Sequence, residues 1–93
     1  MGKNNQKKQI IKKIEDIDFN LLCYFKVMFE EKSISNAASK SFITQSAMSQ
    51  AINRLKNHFN DCLFIRTKAG TVPTKKATQI YQKIIPFLLS IKK

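Results

Sequence analysis

Apolar positions through most of the chain recur at helical spacing. In DFNLLCYFKVMFEEK, Leu22, Phe25, Met28 and Phe29 fall on one side while Lys26 and Glu30 stay in water, and Asp18 can cap the helix they predict. The next stretch, SISNAASKSF, predicts a short helix: Ser33 or Ser35 can accept a first-turn amide, and Ala37-Ala38 permits close helix approach. A turn is expected near Phe42-Ile43. In TQSAMSQAINRLKNHF, Thr44 is placed as N-cap, and Met48, Ile52, Leu55 and Phe59 recur at intervals of four, three and four. At about 100° per residue the far side of this helix carries Ser46, Ser49, Gln50, Asn53 and Asn57, with Arg54 at its edge.

After a turn at Asn60-Asp61, CLFIRTKAGTVPT predicts a short β-hairpin, its basic turn containing Gly70 and its second stretch stopped by Pro73. Thr74 then opens a last helix, in which Ala77, Ile80 or Tyr81, Ile84, Leu88 and Ile91 repeat at three and four. Pro86 is expected to kink it, because the ring clashes with the carbonyl four residues back. This helix carries more apolar surface than one small core uses. It can close the core, form a seam between two copies, or do each along different turns. Upstream, residues 1–17 read as a basic arm that can turn helical where Ile10, Ile11, Ile14 and Ile17 align. The expected division is an arm over 1–17, a domain over 18–73 and a linker helix over 74–93.

Charge sharpens this pattern. The 93 residues carry 17 Lys+Arg against 6 Asp+Glu, a formal net charge of +11, with Lys far more abundant than Arg, a bias that an AT-rich genome also produces. Position tells more than total: residues 32–93 hold eleven basic residues and one acid, Asp61, whereas residues 1–31 hold six basic and five acidic. Hydrophobic residues make up 43% of the chain, enough for the core of one small domain. No apolar run reaches the length of a membrane span, and MGKNNQKKQ lacks a signal-peptide core. Gln6 also departs from the myristoylation pattern. Cys23 and Cys62 lie in apolar runs and are expected to be reduced core thiols of a cytoplasmic protein. His58 has no nucleophile or carboxylate beside it and reads as a surface or capping residue; with two distant cysteines it makes no zinc site, so neither enzyme activity, metal nor cofactor is expected.

Helix, short helix, turn, polar-faced helix and basic hairpin in that order predict a mainly α winged helix-turn-helix: a three-helix core, a β-hairpin wing and a long C-terminal linker helix. From Asp18 to about Leu89 the chain also resembles the N-terminal DNA-binding domain of LysR-type transcriptional regulators. The likeness is carried by Leu22 and Phe25, Glu30-Glu31 with Ser33-Ile34-Ser35 and Ala37-Ala38, the string Thr44-Gln45-Ser46-Ala47-Met48-Ser49, the spaced Ile52, Leu55 and Phe59, and Leu63-Phe64 followed by Arg66. Phe59-Asn60-Asp61 and Val72-Pro73-Thr74 look most like the NodD and LeuO branch. The chain departs from that pattern at Ser41, where the family usually has Leu and where Phe42 is expected to fill the gap, at Lys32 in place of Gly, and at Lys56 in place of Glu. The chain ends at the linker helix, so the effector domain of such regulators, and its pocket, are expected to be absent; Met1 and the basic arm favour a natural N-terminus.

A helix face of Gln, Asn and Ser almost without charge suits the donor and acceptor edges of bases better than a solvated face laced with Lys and Glu would. With residues 44–58 as recognition helix in the major groove, Ser35, Thr44 and Gln45 are expected to set register on phosphates. Gln45, Ser46, Ser49, Gln50 and Asn53 would then read bases, and Arg54 would reach either backbone or guanine. In the wing, residues 63–73, Arg66 and Lys68 suit phosphate or a narrow minor groove, although Arg66 can equally anchor the wing. The expected partner is double-stranded DNA in the nucleoid, bound by a homodimer joined through Ile80, Tyr81, Ile84, Leu88 and Ile91; the resemblance implies the same pairing of linker helices. The rival readings are a module forming mixed dimers with full-length LysR-type regulators and a charge-driven, non-specific nucleic-acid binder.

Overall fold

Each helix opens on a short polar side chain that accepts a first-turn amide, which is why the boundaries fall where they do. In the computed structural model, which describes residues 13–91, Asp18 accepts from the Asn20 amide at 3.1 Å and starts α1 (Phe19–Glu31). Ser33, rather than Ser35, accepts from Asn36 at 3.2 Å and starts α2 (Ile34–Lys40). Thr44 accepts from Ala47 at 3.0 Å and starts α3 (Gln45–Phe59), and Thr74 accepts from Ala77 at 3.1 Å and starts α4 (Lys75–Ile91). Between α3 and α4 runs an antiparallel hairpin of β1 (Phe64–Thr67) and β2 (Gly70–Pro73), in register from Phe64↔Pro73 to Thr67↔Gly70. Gly70 takes φ 119 at the turn, and nothing lies within 4 Å of where its Cβ would be, so its presence answers to backbone freedom rather than to crowding.

The helix ends use left-handed residues that are not glycine. Lys32 takes φ 58 while its amide bonds the Met28 carbonyl at 2.8 Å, and Asn60 takes φ 52 at the end of α3. At the end of α2 the Ile43 amide returns to the Ala38 carbonyl at 3.1 Å around Phe42 at φ 58. That geometry corrects one expectation. Phe42 does not fill the space left by Ser41; it is 95% exposed, because the left-handed step sends its side chain outward and turns Ile43 inward. The Ser41 hydroxyl stays buried in the gap without a hydrogen-bond partner.

The base of the hairpin is clasped. Asp61 accepts from the Leu63 amide at 2.9 Å and from the Thr74 hydroxyl at 2.8 Å, and the Thr74 amide donates to the Leu63 carbonyl at 2.8 Å. Leu63, buried and at φ 62, is thereby held in a conformation that costs a non-glycine residue about 1–2 kcal/mol.

Inside lie Leu22, Phe25 and Met28 of α1, Ala37 and Ala38 of α2, Met48, Ile52, Leu55 and Phe59 of α3, Leu63 and Phe64, and Ala77, Ile80, Ile84 and Leu88 of α4. The last set corrects the expected seam: Ile80, Ile84 and Leu88 are covered by the protomer's own helices and cannot also cover a second copy. Tyr81 is likewise occupied within the protomer. Its ring stacks on Phe29 at 4.0 Å, and its hydroxyl donates to Glu30 at 2.6 Å. Ile91 ends α4, and its side chain lies outside the described residues. The helix runs through Pro86 without a break. Of the arm, Ile10 and Ile11 lie outside the described residues, while residues 13–15 are helical and Ile14 and Ile17 pack against the core. His58 Nε2 donates to the Lys13 carbonyl at 2.7 Å, tying this segment to the end of α3. Neither cysteine forms a disulfide. Cys23 is half-buried, and Cys62 is exposed, correcting its expected place in the core, which Leu63 takes instead.

Candidate nucleic-acid interface

With Met48, Ala51, Ile52, Leu55 and Phe59 turned inward, α3 presents Gln45, Ser46, Ser49, Gln50, Asn53, Arg54 and Asn57 to the outside, all exposed. The polar face expected from the sequence is therefore assembled on one side of one helix. Gln45 is partly positioned already: its side-chain amide donates to the Ser35 hydroxyl at 3.3 Å, joining the N-terminal ends of α2 and α3. Thr44 is exposed, and its hydroxyl caps α3.

Arg54 is the one charged side chain among these seven. Among the described residues the ion pairs are Lys26 with Glu30 at 3.0 Å and Lys40 with Glu31 at 2.8 Å, both on the α1–α2 side. The bond from Glu31, reinforced by its charge, holds the Lys40 ammonium above the usual lysine range. Arg66 on β1 and Lys68 at the hairpin tip are exposed, and neither side chain makes a hydrogen bond or ion pair among the described residues. The only acid in the basic part of the chain, Asp61, is committed to the clasp and neutralises none of these cations.

Sequence reasoning overlooked that clasp, although a lone carboxylate in a strongly basic stretch was a signal for it. It also passed over the first turns of α1. Between those turns and the middle of α3 lies a recess of about 210 Å³ lined by Asn20, Tyr24, Gln50 and Arg54 with Asp18 beside them. A second, largely apolar groove of about 410 Å³ is lined by Ile14, Ile17, Phe19, Leu22 and Phe87, with Glu15 and Lys83 beside them. Phe87 and Leu89 of α4 are 52% and 53% exposed. No group of His, Cys, Asp and Glu among the described residues is arranged to hold a metal ion, and no described helix is long and apolar enough to cross a membrane.

The three-helix core, the turn joining α2 to α3 and the hairpin after α3 define a winged helix-turn-helix protein. Residues 19–78 match the family described as bacterial regulatory helix-turn-helix protein, lysR family, and the chain belongs to that family. It is similar to the uncharacterized HTH-type transcriptional regulator YbeF of Escherichia coli (strain K12), 41% identical over 85 residues, covering 91% of this chain and 27% of that regulator. It is also similar to LeuO of the same organism, 40% identical over 68 residues, covering 73% of this chain and 22% of that regulator. The chain thus spans about a quarter of the length of these relatives. Among solved structures, the BenM DNA-binding domain in complex with catB site 1 DNA superposes with a TM-score of 0.76 at 28% identity, covering 82% of this chain and 85% of that one.

Proposed function

We propose that this domain is a sequence-specific double-stranded DNA-binding transcriptional regulator acting as a homodimer, with α3 in the major groove and the wing on the backbone or in the minor groove. The observation that carries this reading is the outer face of α3: exposed, amide- and hydroxyl-bearing, and charged only at Arg54. Gln50 and Asn53 can bond adenine edges bidentately, and Ser46 and Ser49 add less selective bonds. Ser35, Thr44 and Gln45 fix register on phosphate, and Arg66 and Lys68 hold the wing on the duplex. A structural neighbour at 28% identity was solved on DNA, which supports the same docking for this chain.

For the dimer, the apolar groove and the exposed Phe87 and Leu89 offer the seam that Ile80, Ile84 and Leu88 cannot. A single domain with few base contacts binds weakly, and pairing through α4 places two recognition helices on half-sites about one helical turn apart.

Selection of bound sequences from a random duplex pool tests the reading. A palindromic motif is expected. Retention of all sequences alike, with only a steep dependence on salt, overturns it in favour of charge-driven binding.

A further inference from the structure

The recess between α1 and α3 brings together four polar side chains from two helices. Asn20 and Tyr24 come from successive turns of α1, and Gln50 and Arg54 from successive turns of α3, over a floor that includes Ala47 and Ala51. None of the four side chains makes a hydrogen bond or ion pair among the described residues, and Asn20, Gln50 and Arg54 are exposed while Tyr24 is half-buried. Donors held by two packed helices, with a guanidinium among them, suit a compact anion rich in acceptor oxygens. One wall of the recess is the proposed reading face itself.

We propose that this recess seats a phosphate of the DNA backbone, with the Arg54 guanidinium, the Tyr24 hydroxyl and the Asn20 side-chain amide as donors. The inference rests on α3 being the recognition helix, and it assigns Arg54 to the backbone rather than to guanine. It makes α1 a part of the interface: the seat fixes how α3 is rolled in the groove, while the bases are left to Gln50 and its neighbours. Asp18 shapes the strength of the seat. One of its oxygens accepts the Asn20 amide as N-cap at 3.1 Å, yet its charge lies in the same recess and repels a phosphate. Two substitutions of opposite sign are therefore available. Tyr24→Phe removes one donor and keeps the ring, and Asp18→Asn keeps a capping oxygen and removes the charge.

The test measures affinity of the full chain for its selected duplex and for a random duplex across a range of salt, with thermal melts confirming that the variants fold. Tyr24→Phe is expected to weaken both duplexes by a similar factor, on the order of tenfold, with the salt slope unchanged, because a neutral donor is lost. Asp18→Asn is expected to tighten both by a few-fold. A scan in which single linkages are replaced by neutral methylphosphonate is expected to find one phosphate whose replacement weakens the wild type but no longer weakens Tyr24→Phe. Affinities of both variants within twofold of wild type overturn the seat. So does a Tyr24→Phe loss confined to the selected duplex, which would make Tyr24 a reader of bases. If in either case Gln50→Ala still abolishes sequence preference, the reading of α3 stands without the seat; if Gln50→Ala leaves preference intact, the reading of α3 falls with it.

Discussion

Helices α3 and α4 solve the same packing problem and leave different remainders. Each lays an apolar stripe into one core, Met48, Ile52, Leu55 and Phe59 from the first and Ala77, Ile80, Ile84 and Leu88 from the second. Outside, α3 shows amides and hydroxyls with a single guanidinium, whereas α4 shows Phe87, Leu89 and lysines. Since the core dictates only the inner face, the two outer faces are free to differ, and the proposed function assigns hydrogen bonding to that of α3 and association to that of α4.

The inner faces should be equivalent and the outer faces should not. Ile52→Ala and Ile84→Ala are each expected to destabilise the fold by about 3 kcal/mol in urea denaturation, as buried methylenes are removed from one shared core. Phe87→Ser is expected to leave the melting temperature nearly unchanged but to weaken self-association by about 2 kcal/mol, on the order of thirtyfold in sedimentation equilibrium. A dimer undiminished by it would place the seam away from the outer face of α4. Gln50→Ala is expected to cost about 1.5 kcal/mol on the preferred duplex and far less on random DNA, while Lys68→Ala weakens both and lowers the salt slope by about one. Equal losses from Gln50→Ala on every sequence would remove its role as a base reader.

Smaller effects test how the two helices are fixed. Ser41→Ala is expected to stabilise the fold by about 1 kcal/mol, since it removes a buried hydroxyl that bonds nothing. The smallest effect concerns the tie from α4 to α1. The Tyr81 hydroxyl is pushed up to about 12 by its hydrogen bond to Glu30, then by burial and by the carboxylate's charge. The folded state therefore holds this proton more tightly than the unfolded state, whose phenol titrates near 10. The contribution is fully present below pH 10 and is lost as pH rises toward 12. Tyr81→Phe is expected to cost less than about 1 kcal/mol at neutral pH and to flatten that part of the alkaline decline, read by thermal melts.

What could be read from the chain divides along physical range. Asp18, Thr44 and Thr74 cap as expected because capping involves a residue and the turn beside it. The face of α3 was legible because its apolar positions are few and strictly spaced. The stripe of α4, Ala77, Ile80, Ile84 and Leu88, was legible in the same way, but its destination was not: with Tyr81, Ile85, Phe87 and Leu89 also apolar, spacing alone left core and seam open, and packing within the protomer decides for the core. Phe42 escaped for another reason. Its direction depends on a left-handed backbone step set by the Ile43 amide reaching Ala38, and hydrophobicity carries no trace of that. Asn20 and Tyr24 escaped because their neighbours across the recess lie some thirty positions along the chain.

The clasp around Asp61 works as a ruler. Thr74 caps α4 with the same hydroxyl that bonds Asp61, and its amide holds Leu63 at the root of the hairpin, so the base of the wing is tied to the first turn of α4. In a dimer joined through α4, the distance between the two wings is then set by how those helices pair. On the proposed docking, the length of duplex between the outermost cations would follow from this clasp together with the pairing of the helices.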